Sequence, residues 1–234
     1  MKRHLPNLLT LLNLAAGTIA IVLTLEGNWI PAVYLLLTAA VFDFLDGLAA
    51  RLLNAYSETG RQLDSLADVV SFGVLPAVFI YTIFMHQFNG LLQWIILGSI
   101  LIVPLFSAIR LARFNVGEDE DPFFHGLPTP AHALFWTGLF WQFIHGGLLY
   151  GKPVTIFFLW AIMIIMAFQM ILPVPMVTLK FEHFSLRGNL VRYLLIVISA
   201  IILILTGVAG LSLVVLTYIL LSLLNLLLQR RVSQ

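Results

Sequence analysis

Two neighbouring stretches decide the fold: Trp29 to Leu53, WIPAVYLLLTAAVFDFLDGLAARLL, and Gln62 to Phe84, QLDSLADVVSFGVLPAVFIYTIF. Each is long and apolar enough to cross a bilayer, which takes about 20 such residues. Each also carries two aspartates, Asp43 and Asp46 in the first and Asp64 and Asp68 in the second. Ionisable groups inside apolar spans are costly and mark functional sites by default.

Spacing places them. Asp43 and Asp46 are three residues apart and Asp64 and Asp68 four, so on helices each pair shares one face. Gly47, Ala50 and Arg51 continue the face of Asp43. Two antiparallel helices joined by the short turn between Leu53 and Gln62 would aim four carboxylates into one cleft. Such a group cannot stay ionised at low dielectric without compensation. Hard divalent cations with oxygen ligands supply it, and a set without His or Cys favours Mg²⁺ or Mn²⁺ over Zn²⁺. Two such ions can clamp a pyrophosphate and assist displacement at phosphorus. Single interfacial aspartates paired with Arg51 or Arg61 are the plainer reading, and an ion pathway is a third. The latter would place carboxylates deep in several spans, and the later apolar runs hold none.

Working outward, the 234 residues are 61% hydrophobic and 10% charged, with a mean hydropathy of +1.02. Soluble domains are about a quarter charged, so the chain is expected to be an all-α, polytopic membrane helical bundle forming a single domain, 1–234. About eight spans are read, at 7–26, 29–53, 62–84, 90–112, 131–150, 154–174, 190–208 and 211–229, with a tight reversal between Gly207 and Gly210. Without that reversal the count is seven. The apolar run beginning at Leu8 is long enough to span, which favours an anchor over a cleaved leader. A net charge of +1 gives a nucleic acid no electrostatic hold. With no cysteine, disulfides, thiol catalysis and thiolate metal sites are excluded.

Eleven of the twelve Lys and Arg fall on one side of this topology: Lys2, Arg3, Arg51, Arg61, Arg110, Arg113, Lys180, Arg187, Arg192, Arg230 and Arg231, against Lys152. The positive-inside rule then places both termini and the carboxylate cleft at the cytoplasmic face of the cytoplasmic membrane. Trp29, Trp94 and Tyr150 read as interfacial anchors.

The run Asp43-x₂-Asp46-Gly47-x₂-Ala50-Arg51-x₈-Gly60-x₃-Asp64-x₃-Asp68 resembles the CDP-alcohol phosphotransferase signature at all eight fixed positions. The resemblance implies two divalent ions held by Asp43, Asp46 and Asp64, with Asp68 as a metal-side ligand and as the base that deprotonates the acceptor alcohol. It implies that Gly47 and Ala50 line the cytidine pocket, that Arg51 and Gly60 shape the nucleotide and phosphate site, and that the protein is a homodimer.

Three further stretches resemble bacterial and archaeal phosphatidylserine synthases: Leu63 to Asp68 with Ser71-Phe72-Gly73 and Pro76-Ala77; Arg110-Leu-Ala-Arg113-Phe114-Asn115; and Phe124-His-Gly126-Leu127-Pro128-Thr129-Pro130-Ala131. Pro6-Asn7-Leu-Leu-Thr10 with Asn13 fits the same pattern, and His132 stands where a small residue is expected. The resemblance covers about residues 1–135, giving a catalytic core at about 7–135 and C-terminal spans at about 154–229. It implies transfer of the phosphatidyl group of CDP-diacylglycerol to L-serine, with release of CMP. Glycerol 3-phosphate or inositol is the alternative acceptor, and a metal-ion transporter the alternative class. Arg110 and Arg113 would hold a carboxylate or phosphate, or else serve topology alone. Asn115 and Thr129 offer neutral hydrogen bonds, or else act as turn residues. Glu118 to Asp121 reads as a solvated acidic run, and His125 as a weaker site candidate.

Overall fold

The computed structural model describes residues 4–85, 90–116, 124–146, 153–178 and 189–232. The acidic run Glu118 to Asp121, Tyr150, Lys152, Lys180 and Arg187 lie outside these residues, as does the side chain of His125.

The chain is helical, as expected. In order come α1 (Leu5–Leu25), α2 (Trp29–Leu52), α3 (Glu58–Asp68), a π-helical turn (Val69–Val74), α4 (Leu75–Phe84), α5 (Leu91–Ile100), α6 (Ile102–Val116), α7 (Thr129–Ile144), α8 (Pro153–Ile171), α9 (Leu190–Thr206), a 3₁₀ turn (Gly207–Gly210) and α10 (Leu211–Val232). The small strands β1 (Phe124–His125) and β2 (Pro175–Met176) pair antiparallel, with Phe124 opposite Met176. Among the described residues, five helical stretches are long and apolar enough to cross a membrane: Leu5–Leu25, Trp29–Leu52, Glu58–Phe84, Leu91–Val116 and Leu190–Leu228. The shorter α7 and the apolar part of α8, Ile156–Ile171, pack among them.

Prolines break the two interrupted spans. Pro76 has no N–H to offer the carbonyl of Phe72, and its ring displaces that carbonyl. The helix widens into the π turn just ahead of it. Pro104 stands in the same relation to Ile100, where α5 ends.

The last apolar stretch reverses. Arg192, near the start of α9, donates to the Thr178 carbonyl at 2.7 Å, while Ser222 of α10 accepts from the Val177 N–H at 3.2 Å. One straight helix would hold Arg192 and Ser222 about 45 Å apart at 1.5 Å per residue. They meet adjacent residues, so α9 and α10 form a hairpin about Gly207–Gly210. Gly207 has φ +58, a conformation that favours glycine.

The core is aromatic and aliphatic, centred on α4 and α7. Phe79 stacks on Phe140 with ring centroids 4.2 Å apart, and Trp136 is fully buried. His132 is fully buried as well; its Nε2 accepts from Trp136 Nε1 at 3.2 Å. The ring thus fills an interior position where a small residue was expected.

Small residues let the helices that carry the site come close. A Cβ on Gly17 of α1 would lie 2.9 Å from Ser71 Cα in the π turn, and one on Gly73 3.0 Å from Ser107 Cβ of α6.

Candidate functional site

α2 ends where Ala55 N–H bonds back to the Ala50 carbonyl at 2.9 Å and Asn54 adopts φ +47, a left-handed residue just past the helix end. Five residues later Ser57 caps α3, its Oγ accepting from Gly60 N–H at 3.0 Å. This short connection folds α3 back beside the last turns of α2.

The carboxylates meet as the spacing requires. Asp43, Asp64 and Asp68 each offer an oxygen, and these three oxygens lie within 4.8 Å of one another. Among the described residues none of the four aspartates is ion-paired. Arg61 instead holds the exposed Glu58 at 2.9 Å, which removes the plainer reading of aspartates paired with that arginine. Asp64 Oδ1 is buried without a hydrogen-bond partner. Three converging carboxylates, one with an orphaned buried oxygen and none in an ion pair among the described residues, form an all-oxygen donor set suited to a hard divalent cation.

Asp46 is placed differently. It is buried, and its Oδ2 accepts from Thr10 Oγ1 at 2.6 Å; it stands outside the three-oxygen group. Asp68 is also held by α1, through Asn13 Nδ2 donating to Oδ1 at 3.3 Å. Asn13 is in turn fixed by the Ser71 hydroxyl, which donates to its main-chain carbonyl at 3.1 Å. Thr10 and Asn13 were noted in the sequence only as a pattern match, and the structure makes them the side chains that orient two of the aspartates. Their signal was present: Asn7, Thr10 and Asn13 recur every three residues in an otherwise apolar helix.

Around this centre the other singled-out residues divide. A Cβ added to Gly47 would meet nothing within 4 Å, so the α2 face beside the carboxylates opens onto free space. Ala50 is half-buried on that face, and Arg51 is exposed in the last turn of α2. Gly60 has a packing role, since a Cβ there would sit 2.9 Å from Ser57 Oγ and 3.0 Å from Asn7 Oδ1.

Arg110 and Arg113, three residues apart on α6, do not act as a pair. Arg110 turns inward, with Nε buried and lacking a hydrogen-bond partner, and interacts electrostatically with Asp68 and with Tyr218 of α10. Arg113 is exposed, and its guanidinium reaches the Ile171 carbonyl at 3.4 Å. Asn115 donates to Ser65 Oγ at 2.9 Å and to Gln62 Oε1 at 3.3 Å, tying α6 to α3. Thr129 is fully buried with Oγ1 unpartnered.

The segment before α7 is pinned from the far end of the chain. Leu127 N–H donates to the Gln169 carbonyl and Gly126 N–H to the Val174 carbonyl, each at 2.9 Å. Gly126 has φ +76, and a Cβ there would lie 2.5 Å from the Met170 carbonyl oxygen. Tyr218 donates to the Val177 carbonyl at 3.1 Å, so α10 buttresses this corner. Nothing in the largely apolar sequence of α10 had pointed to Tyr218.

Comparison with known proteins identifies the family. The family model described as CDP-alcohol phosphatidyltransferase matches residues 3–182. The chain is 37% identical over 142 residues to a CDP-diacylglycerol–serine O-phosphatidyltransferase of Mycobacterium tuberculosis (strain ATCC 25618 / H37Rv), covering 58% of this chain and 48% of that protein. It is 37% identical over 127 residues to the Bacillus subtilis (strain 168) protein of the same name, covering 54% and 70%. An archaetidylserine synthase of Methanothermobacter thermautotrophicus is 38% identical over 134 residues, covering 56% and 54%. The chain thus spans about half the length of the mycobacterial and methanogen relatives. With the aspartate signature intact and the match running over most of its length, the chain belongs to the CDP-alcohol phosphatidyltransferase family.

Proposed function

We propose that this protein transfers the phosphatidyl group of CDP-diacylglycerol to the hydroxyl of L-serine, forming phosphatidylserine and CMP at the cytoplasmic face of the membrane. The observation that carries the reading is the convergence of Asp43, Asp64 and Asp68 within 4.8 Å beside the open face at Gly47. The serine-synthase names of the relatives support the choice of acceptor.

Asp43, Asp64 and Asp68, with Asp46 beside them, would hold two divalent ions, Mg²⁺ or Mn²⁺. When bound, these neutralise charge on the pyrophosphate and on departing CMP. The chain's own groups do the rest. Gly47 and Ala50 leave room on the α2 face for the cytidine, with Arg51 and Gly60 at the phosphate end. Asp68, steadied by Asn13, takes the proton of the serine hydroxyl, a poor nucleophile until deprotonated. The serine oxygen then bonds to the phosphatidyl phosphorus as the bond from that phosphorus to the CMP oxygen breaks. Arg110 faces the same aspartate and would receive the serine carboxylate, while Arg113, Asn115 and Thr129 frame the approach from the loop side. The core of about residues 7–135 and the C-terminal spans of about 154–229 work as one unit, because α10 braces the segment that enters α7. The resemblance adds a homodimer.

The test is CMP release from CDP-diacylglycerol in lipid vesicles, with serine, glycerol 3-phosphate and inositol supplied separately, with and without Mg²⁺ or Mn²⁺. Release with serine and a divalent ion is expected. Consumption of another alcohol with serine inert would refute the acceptor while leaving the chemistry. Release with no alcohol would mark a hydrolase, and no release under any condition would favour a transport role.

A further inference from the structure

Asn13 has two functional atoms, and the fold uses only one. Its Nδ2 donates to Asp68, an orientation that an ionised carboxylate dictates because only the amide nitrogen can donate. Its Oδ1 is buried and has no partner. A buried acceptor left unmet costs roughly 1–3 kcal/mol, so such atoms call for an explanation. Asn13 itself is fully buried, on a helix locked by the Gly17–Ser71 crossing. Its side chain is therefore held in place.

The position of that oxygen is constrained. Amide geometry puts Oδ1 about 2.2 Å from Nδ2, and Nδ2 is 3.3 Å from Asp68 Oδ1. The unmet acceptor thus lies next to the carboxylate assigned to deprotonate the alcohol. Arg110, whose buried Nε donor is equally unmet, interacts electrostatically with the same Asp68. An orphaned acceptor beside the base and an orphaned donor on a cation that the base attracts match a zwitterion whose hydroxyl meets the base. In serine the hydroxyl and ammonium are on adjacent carbons, roughly 3 Å apart by bond lengths, which is the separation this juxtaposition can serve. Asn115 Oδ1 is also unpartnered, but its amide nitrogen donates to Ser65 and Gln62 and not to an aspartate.

We infer that Asn13 Oδ1 accepts a hydrogen bond from the α-ammonium of the acceptor, so that Asn13 is both a positioning residue for Asp68 and a determinant of amino-alcohol specificity. This rests on the serine reading above. Glycerol 3-phosphate and inositol have no ammonium, and the pocket would leave Asn13 Oδ1 unmet with either. Rejection of a ligand that leaves a buried polar group unpaired is a strong source of selectivity.

The experiment crosses enzyme variants with acceptors. Wild type, Asn13→Ala and Asn13→Ser are assayed for kcat and KM of CMP release, with serine and with 3-hydroxypropanoate, which keeps the hydroxyl and carboxylate but lacks the ammonium. CDP-diacylglycerol binding reports the folded state of each variant. Loss of Asp68 positioning lowers kcat with both acceptors alike. Loss of ammonium recognition raises the serine KM and shrinks the serine preference by about ten- to a hundredfold, the range for a hydrogen bond to a charged group. A preference unchanged in whichever variant binds CDP-diacylglycerol overturns the inference and leaves the serine reading intact. A wild type that ignores serine and uses glycerol 3-phosphate overturns both.

Discussion

Replacing Gly17 by alanine adds one methyl group 2.9 Å from Ser71 Cα and Cβ, and closer still to Ser71 Oγ. Carbon atoms pack at about 3.5–4.0 Å, so α1 and the π turn must separate by roughly 0.6–1 Å. The backbone of the π turn is part of the obstacle, so a side-chain rotation alone cannot absorb the strain. Overpacking of this kind costs about 1–3 kcal/mol in stability. The larger effect falls on the site. Asn13 lies one turn before Gly17, and its bond to Asp68 is already 3.3 Å long, at the edge of the useful range. An added displacement near 1 Å breaks it, and misplacement on that scale costs about a hundredfold in rate. The assay is CMP release alongside thermal unfolding in the same detergent. Gly17→Ala should unfold only a few degrees lower yet turn over about a hundredfold more slowly. Ser71→Gly in the same chain removes the Oγ and Cβ contacts and should restore part of the rate, a coupling expected of touching residues. Gly17→Ala turning over at the wild-type rate would refute the claim that this crossing sets the aspartate geometry.

Two further outcomes separate the remaining roles. Asp64→Asn should abolish turnover by weakening Mn²⁺ binding, whereas Asp68→Asn should cut turnover by about 10²–10⁴-fold, the worth of a positioned base, while CDP-diacylglycerol still binds. A residual rate above about a hundredth in Asp68→Asn would remove it as the base. For orientation, a cysteine at Val116, which is 89% exposed, should be shielded from an impermeant thiol reagent in intact cells, and one at Glu26 should label. The reverse pattern would invert the topology, and the chain's lack of native cysteine makes the readout unambiguous.

The fold class and the heart of the site were legible because both depend on rules that act along the chain. Apolar runs of span length announce helices, and carboxylates spaced by three and four announce a shared face. Asp64 and Asp68 share a face through that spacing, and the short turn after α2 brings them to Asp43. Contacts between distant helices were not legible in the same way. Asp46, on the face of Asp43, instead accepts a hydrogen bond from Thr10, 36 residues earlier. Arg110 and Arg113 look equivalent by spacing, yet one is drawn in toward Asp68 and Tyr218 and the other out to the end of α8. The π turn escaped the reading because hydropathy does not register helix winding, although Pro76 carried the information.

That turn also bears on how the sequence can change. An α-helix advances 100° per residue, and a π turn holds one residue more than the winding around it. It therefore acts as a rotary joint between the carboxylate face of α3 and the packing face of α4. Mutation can remodel the lipid-facing and core-facing sides of α4 without re-aiming Asp64 and Asp68, and the reverse. The same joint decides where a single deletion can be absorbed. Losing Val70 would let the π turn close to ordinary α winding and leave Phe79, Ile83 and Phe84 facing the core they now fill, whereas losing Val78 within α4 would swing them by about 100°.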